Sequence, residues 1–140
     1  MSQDNLDLVR SIYTAWEHGD YSSAEWAHPD IELVIPDGPD PGKWKGLAGM
    51  TATARERLSA FERFYAKAEA FYELDGERVL VLERRSGQGK TSGLGLGELQ
   101  ARGAKLFHIA GGKVVRLVDW WNRDRAFADL GIPPEANSPN

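Results

Sequence analysis

The stretch from Ser92 to Asn122 constrains the fold of this chain more than any other. It reads as two long antiparallel strands, Leu94 to Ile109 and Lys113 to Asn122, joined at Gly111-Gly112. A glycine pair supplies the positive φ angles that a two-residue hairpin loop requires. With that pair as the loop, Ala110 faces Lys113. Regular counting then sets His108 opposite Val115, Leu106 opposite Leu117, Ala104 opposite Asp119 and Arg102 opposite Trp121. Side chains alternate faces along a strand, so these residues are expected on one face. Arg102, His108, Asp119 and Trp121 give that face a polar and aromatic character that an apolar sheet does not need, and it is expected to line a pocket. One extra residue, for which the neighbourhood of Gly103 is the expected place, would invert the parity of everything before it.

The remainder of the chain limits what surrounds the hairpin. Its 140 residues suit one domain with a substantial core, expected over residues 1–134, with 135–140 as a disordered tail. A formal net charge of −4, with no Lys/Arg run longer than Arg84-Arg85, argues against a nucleic-acid surface. The chain has no cysteine, which excludes disulfides and thiolate chemistry. Its histidines, His18, His28 and His108, lack the spacing of a metal site, and no metal or cofactor is expected. No apolar run suits a membrane span, and the N-terminus lacks the pattern of a signal peptide, so a cytoplasmic protein without membrane partners is expected.

Read in order, Leu6, Val9, Ile12, Tyr13 and Trp16 form one stripe of a first helix, capped by Asp4 or Asn5 and ended by Gly19. Residues 20–28 suggest a short second helix carrying Trp26, broken at Pro29. Ile31–Ile35 is a strand, and residues 36–42 are a Pro/Gly/Asp loop able to form a rim. A third helix is expected over residues 46–64. Strands follow at 65–74 and 77–85, turning at Asp75-Gly76. Val79-Leu80-Val81-Leu82 is apolar on both faces and therefore central. Ser86 to Lys90 reads as a loop, and Asp124–Leu130 as a terminal helix closed by Gly131. Helices on one face of a curved antiparallel sheet make an α+β domain, a cone half-closed by helices with an interior pocket.

Four segments carry a family resemblance: residues 12–20 (IYTAWEHGD), 45–49 (KGLAG), 87–93 (GQGKTSG) and 111–116 (GGKVVR). In this order they resemble the SnoaL-like, polyketide cyclase-like branch of the nuclear transport factor 2-like superfamily. The resemblance implies the cystatin-like cone just described and a homodimer through the outer sheet face. It leaves activity open, because this fold hosts isomerases, cyclases, hydrolases and non-catalytic binding proteins. The ketosteroid isomerase pattern is absent: Ile12, Val34 or Ile35, and Ala104 stand at its tyrosine, base and neutral-acid positions. The resemblance places an acid/base aspartate in the last strand, where Asp119 stands. Tyr13 or His108 is the candidate hydrogen-bond donor to a developing oxyanion. Trp16, Trp26, Arg102, Leu117 and Trp121 are the candidate ligand contacts, around a small apolar or aromatic molecule. The structural alternative for Asp119 is an ion pair with Arg102 across the hairpin. The expected function is a small-molecule-binding protein with acid/base chemistry; the alternative is a non-catalytic binding or dimerisation module.

Overall fold

The computed structural model describes residues 2–18, 20, 25–38, 41–59, 61–89 and 98–132. The expected tail at 135–140 lies outside them, as do Gly19, residues 94–97 of the expected long strand and residues 21–24 of the expected second helix. The elements run α1 (Ser2–Glu17), β1 (Ala27–Ile35), β2 (Gly42–Lys45), α2 (Gly46–Ser59), β3 (Phe61–Glu73), β4 (Arg78–Gly89), β5 (Glu98–Ala110), β6 (Lys113–Trp120) and α3 (Arg123–Leu130). No helix among the described residues is long and apolar enough to cross a membrane.

The strands form one sheet in the order β2-β1-β6-β5-β4-β3. Its pairs are antiparallel except β1 with β6, which run parallel, so the sheet is mixed. The helix α2 touches β1 and β2 at one edge and β3 at the other, which requires the sheet to curl. The α+β class and the curved, unclosed sheet agree with the sequence reading. The helices are not all on one side, however. Leu6, Val9, Ile12 and Tyr13 of α1 and Leu47 and Met50 of α2 pack on the concave face, while Ala126 and Phe127 of α3 pack on the opposite, convex face. Asn122 caps α3 through its side-chain oxygen, and Gly131 ends it at φ 68°, a left-handed position that favours glycine.

Several boundaries depart from the sequence reading for identifiable reasons. The helix α1 begins at Ser2, ahead of Asp4 and Asn5; the Asn5 amide instead donates to Gly76 O at 2.8 Å, tying the helix to the β3–β4 turn. Ala27 and His28 belong to β1, which continues through Pro29 where pairing with β6 is irregular and no ladder donor is needed. Gly42, the last residue of the expected rim loop, begins β2. The helix α2 stops at Ser59 because β3 begins at Phe61; an aromatic run there suits either periodicity. Residues 86–89, a loop by composition, are the end of β4, with β3 and β5 supplying ladder partners on either side.

The hairpin holds the main correction. Gly111 and Gly112 take φ 61° and 78°, and Ala110 pairs with Lys113, as the glycine pair requires. The next pairs are Ile109 with Val114 and His108 with Arg116, leaving Val115 unpaired in a bulge. The extra residue is therefore at the turn end of β6 and not near Gly103. Every later pair moves by one: Phe107 faces Leu117, Lys105 faces Asp119, and Ala104 faces Trp120. Asp119 does not share a face with Arg102 and His108.

Candidate functional site

The concave face changes character along β4. Val79 and Val81 pack in the core beneath α1, and the next residues on that face, Glu83 and Arg85, are fully buried. Lys105 on β5 and Asp119 on β6 are also buried, and Tyr13 reaches down from α1. The cross-strand pairs Glu83–Gly103 and Lys105–Asp119 bring these side chains together.

Arg85 bridges two carboxylates. Its Nε donates to Glu83 Oε1 at 2.8 Å, and its Nη2 donates to Asp119 Oδ1 at 2.6 Å. Lys105 Nζ donates to both Glu83 oxygens, at 3.0 and 2.9 Å, and lies 4.0 Å from Asp119 Oδ2. The Tyr13 hydroxyl donates to Glu83 Oε2. Gly103 makes room for the guanidinium: a Cβ there would stand 2.5 Å from Arg85 Cζ and 2.7 Å from the Trp120 carbonyl oxygen. Trp121 lies over the guanidinium with 5.4 Å from Cζ to its ring centroid, and Lys105 Nζ lies 5.4 Å from the Trp16 ring centroid. Both are cation–π arrangements.

The electrostatics follow from this packing. Burial alone would raise the Glu83 carboxyl, but Lys105 and Arg85 outweigh it and hold Glu83 below the usual carboxylate range. Burial opposes the charge on Arg85, yet Asp119 and Glu83 raise it above its ordinary value. Tyr13 is raised well above its ordinary value, first by burial and then by the Glu83 charge, so its hydroxyl stays protonated.

Among the sequence candidates, Asp119, Tyr13, Trp16, Leu117 and Trp121 gather on the concave side, with Trp26 edge-on to Trp16 at 5.9 Å between ring centroids. Arg102 and His108 do not join them. Arg102 is exposed on the convex side, opposite Arg84, and His108 pairs with Glu77 at 3.2 Å. The ion pair that stood as the structural alternative for Asp119, with Arg102, is made with Arg85 instead. Sequence reasoning missed Glu83, Arg85 and Lys105. A usable signal was present: a run apolar on both faces is central, so charges continuing its inward alternation must find buried partners.

The loop after β1 also acts at this site. Asp37 accepts from the backbone N–H of Trp121 at 2.7 Å and of Asn122 at 3.0 Å, and Gly38 packs against the Trp121 ring. It is thus anchored to the end of β6 and fixes the tryptophan over Arg85. Separately, a groove of about 320 Å³ opens between α1 and the hairpin turn, lined by Leu8, Ile12, Trp16, Trp26 and Lys113 among others. Its lining, which also includes Asp20 and Glu25, contains none of the buried charged residues of the cluster, although Trp16 borders both.

Residues 9–117 match the model of the SnoaL-like domain. No curated protein matches the chain. Similar solved structures include an NTF2-like protein of unknown function from Burkholderia pseudomallei, with TM-score 0.72, 21% identity and coverage of 89% of this chain and 95% of that one. TerC, co-crystallised with polyporic acid, has TM-score 0.70 and 22% identity over 91% of this chain and 97% of its own. A candidate SnoaL-like polyketide cyclase from Jannaschia has TM-score 0.71 and 16% identity over 95% of each chain. At these identities the likeness is one of fold.

Proposed function

The chain belongs to the SnoaL-like domain family, and from that premise we propose that it binds a small, flat, largely apolar molecule on the concave sheet face. The Tyr13–Glu83–Arg85–Lys105–Asp119 cluster forms the polar floor of this site, and Trp16 and Trp121 are its aromatic walls. The observation that carries the reading is the cluster itself. Buried ion pairs often stabilise a fold no better than apolar residues of the same volume, so three such pairs beneath tryptophans point to a role in recognition or chemistry. That TerC was crystallised with polyporic acid is consistent with a ligand of this shape.

The test is a titration of tryptophan fluorescence with flat aromatic compounds, polyporic acid among them. Saturable quenching that weakens in Trp121→Ala is the expected result; no saturable response to any compound overturns the reading. Acid/base turnover is the second reading, favoured by the carboxylates that share Arg85. Asp119 is its acid/base group and Tyr13 its neutral hydrogen-bond donor. Asp119→Asn should then keep ligand binding and abolish turnover, while losing about 1–3 kcal/mol of stability because Arg85 loses a charged partner. Unchanged conversion of a substrate by that variant would remove Asp119 from the chemistry. A homodimer through the outer sheet face belongs to the same proposal, and light scattering of the purified protein tests it.

A further inference from the structure

Resting on the ligand-binding reading above, we propose that the concave site is built to receive an uncharged carbonyl oxygen at Arg85, and that it discriminates against anionic groups of the same shape.

The first observation is an incomplete donor set. A guanidinium carries five N–H bonds in a fixed fork. Arg85 Nε and Nη2 are engaged by Glu83 and Asp119, but Nη1 is buried with no hydrogen-bond partner among the described residues. A buried donor on a charged group, left unsatisfied, carries its whole desolvation penalty, so such an atom calls for an acceptor. The residue around it is held rigidly, between the Gly103 backbone and the Trp121 ring. The acceptor must therefore come to Arg85, because Arg85 is pinned.

The second observation fixes the kind of acceptor. Among the described residues the cluster is balanced: Glu83 and Asp119 are the carboxylates, Arg85 and Lys105 the cations. Tyr13 adds no charge, since its hydroxyl stays protonated. An incoming carboxylate would leave one net negative charge in a desolvated site, close to the two carboxylates that flank Arg85. That is unfavourable on both desolvation and like-charge grounds. A ketone, ester or quinone oxygen brings acceptor lone pairs and no net charge. Its flat remainder would lie against Trp121, and electron density shifted towards the oxygen would be stabilised by Arg85.

The test compares probes of one shape on the intact protein: acetylnaphthalene, naphthoate and isopropenylnaphthalene, each substituted at the same ring position. Their dissociation constants are read from fluorescence quenching. The ketone is expected to bind at least about tenfold more tightly than either of the others. In an NMR spectrum, the carbonyl carbon of the isotope-labelled ketone should move downfield from its position in hydrocarbon solvent. Naphthoate binding as tightly as the ketone would overturn the inference and leave small-molecule binding standing. Equal binding of ketone and alkene, with an unmoved carbonyl resonance, would also overturn it and assign Nη1 to an ordered water. Failure of all three probes sinks this inference, and the wider titration that includes polyporic acid then decides the ligand-binding reading separately.

Discussion

The two faces of the sheet are built from the same strands and solve opposite problems. On the convex face, Leu80 and Leu82 of β4 meet Ala104 and Leu106 of β5, Val118 and Trp120 of β6, and Ala126 and Phe127 of α3, an apolar cluster throughout. On the concave face the same strands begin as an apolar core, with Val79, Val81, Phe107 and Leu117, and then turn ionic at Glu83, Arg85, Lys105 and Asp119. The convex side shows that strands with this register can close over an apolar core. The charges opposite are therefore not something the fold demands. Removing the partner of a buried charge is far worse than never having had the pair, and this makes the two faces separable by experiment.

The largest effect should come from breaking the ionic side alone. Arg85→Met strands Glu83 and Asp119 without their shared cation and should lower stability by about 3–5 kcal/mol in urea denaturation. A loss below about 1 kcal/mol would mean that the cluster reorganises freely and is not a fixed site. On the other face, Leu82→Ala should lose about 2–5 kcal/mol through a cavity. The two faces should then differ in acid. Glu83 is held below its ordinary value near 4.5, so its contribution is complete above that pH and is lost as pH falls through the lower folded value. Leu82→Ala should shift the whole stability–pH curve downwards while keeping this acid limb, whereas Glu83→Gln should flatten the limb. An acid limb of equal depth in both variants would deny Glu83 its role. Gly103→Ala is expected to lose about 1–3 kcal/mol, because the new methyl meets both Arg85 and the Trp120 carbonyl oxygen, and it should weaken ligand binding as well. The smallest effect is on the convex side: Asn122→Ala removes the cap of α3 and should lose about 1 kcal/mol with binding unchanged.

The legible parts of this chain were those governed by local rules. Gly111-Gly112 announced its turn, Gly131 its helix end, and the stripe of Val9, Ile12 and Tyr13 its buried face. The shared face of Asp119 and Trp121 was also legible, since their relative spacing along one strand is independent of what they face. The remainder depended on long-range pairing. The residues 86–89 look like a loop until two neighbouring strands supply their hydrogen bonds, and β2 is a strand only because β1 lies beside it. Arg102, the alternative partner for Asp119, lies on the other face for a related reason. A bulge leaves no clear mark in the composition of residues 113–116, yet it decides which cation the aspartate can see.

Val115 thus acts like a frameshift written in space. The hairpin is read two residues at a time, inward and outward, and one additional unit after Val114 resets the reading for Leu117, Asp119 and Trp121 relative to β5. A homologue lacking this unit would keep the same pairs with one residue fewer between turn and aspartate. Equivalent acids in two family members can therefore stand at different distances from the glycine turn, and alignment by spacing alone would match an inward side chain in one protein to an outward one in the other. Deleting Val115 should be silent for the Lys105–Asp119 pairing, whereas deleting Val118 would turn the aspartate out of the site.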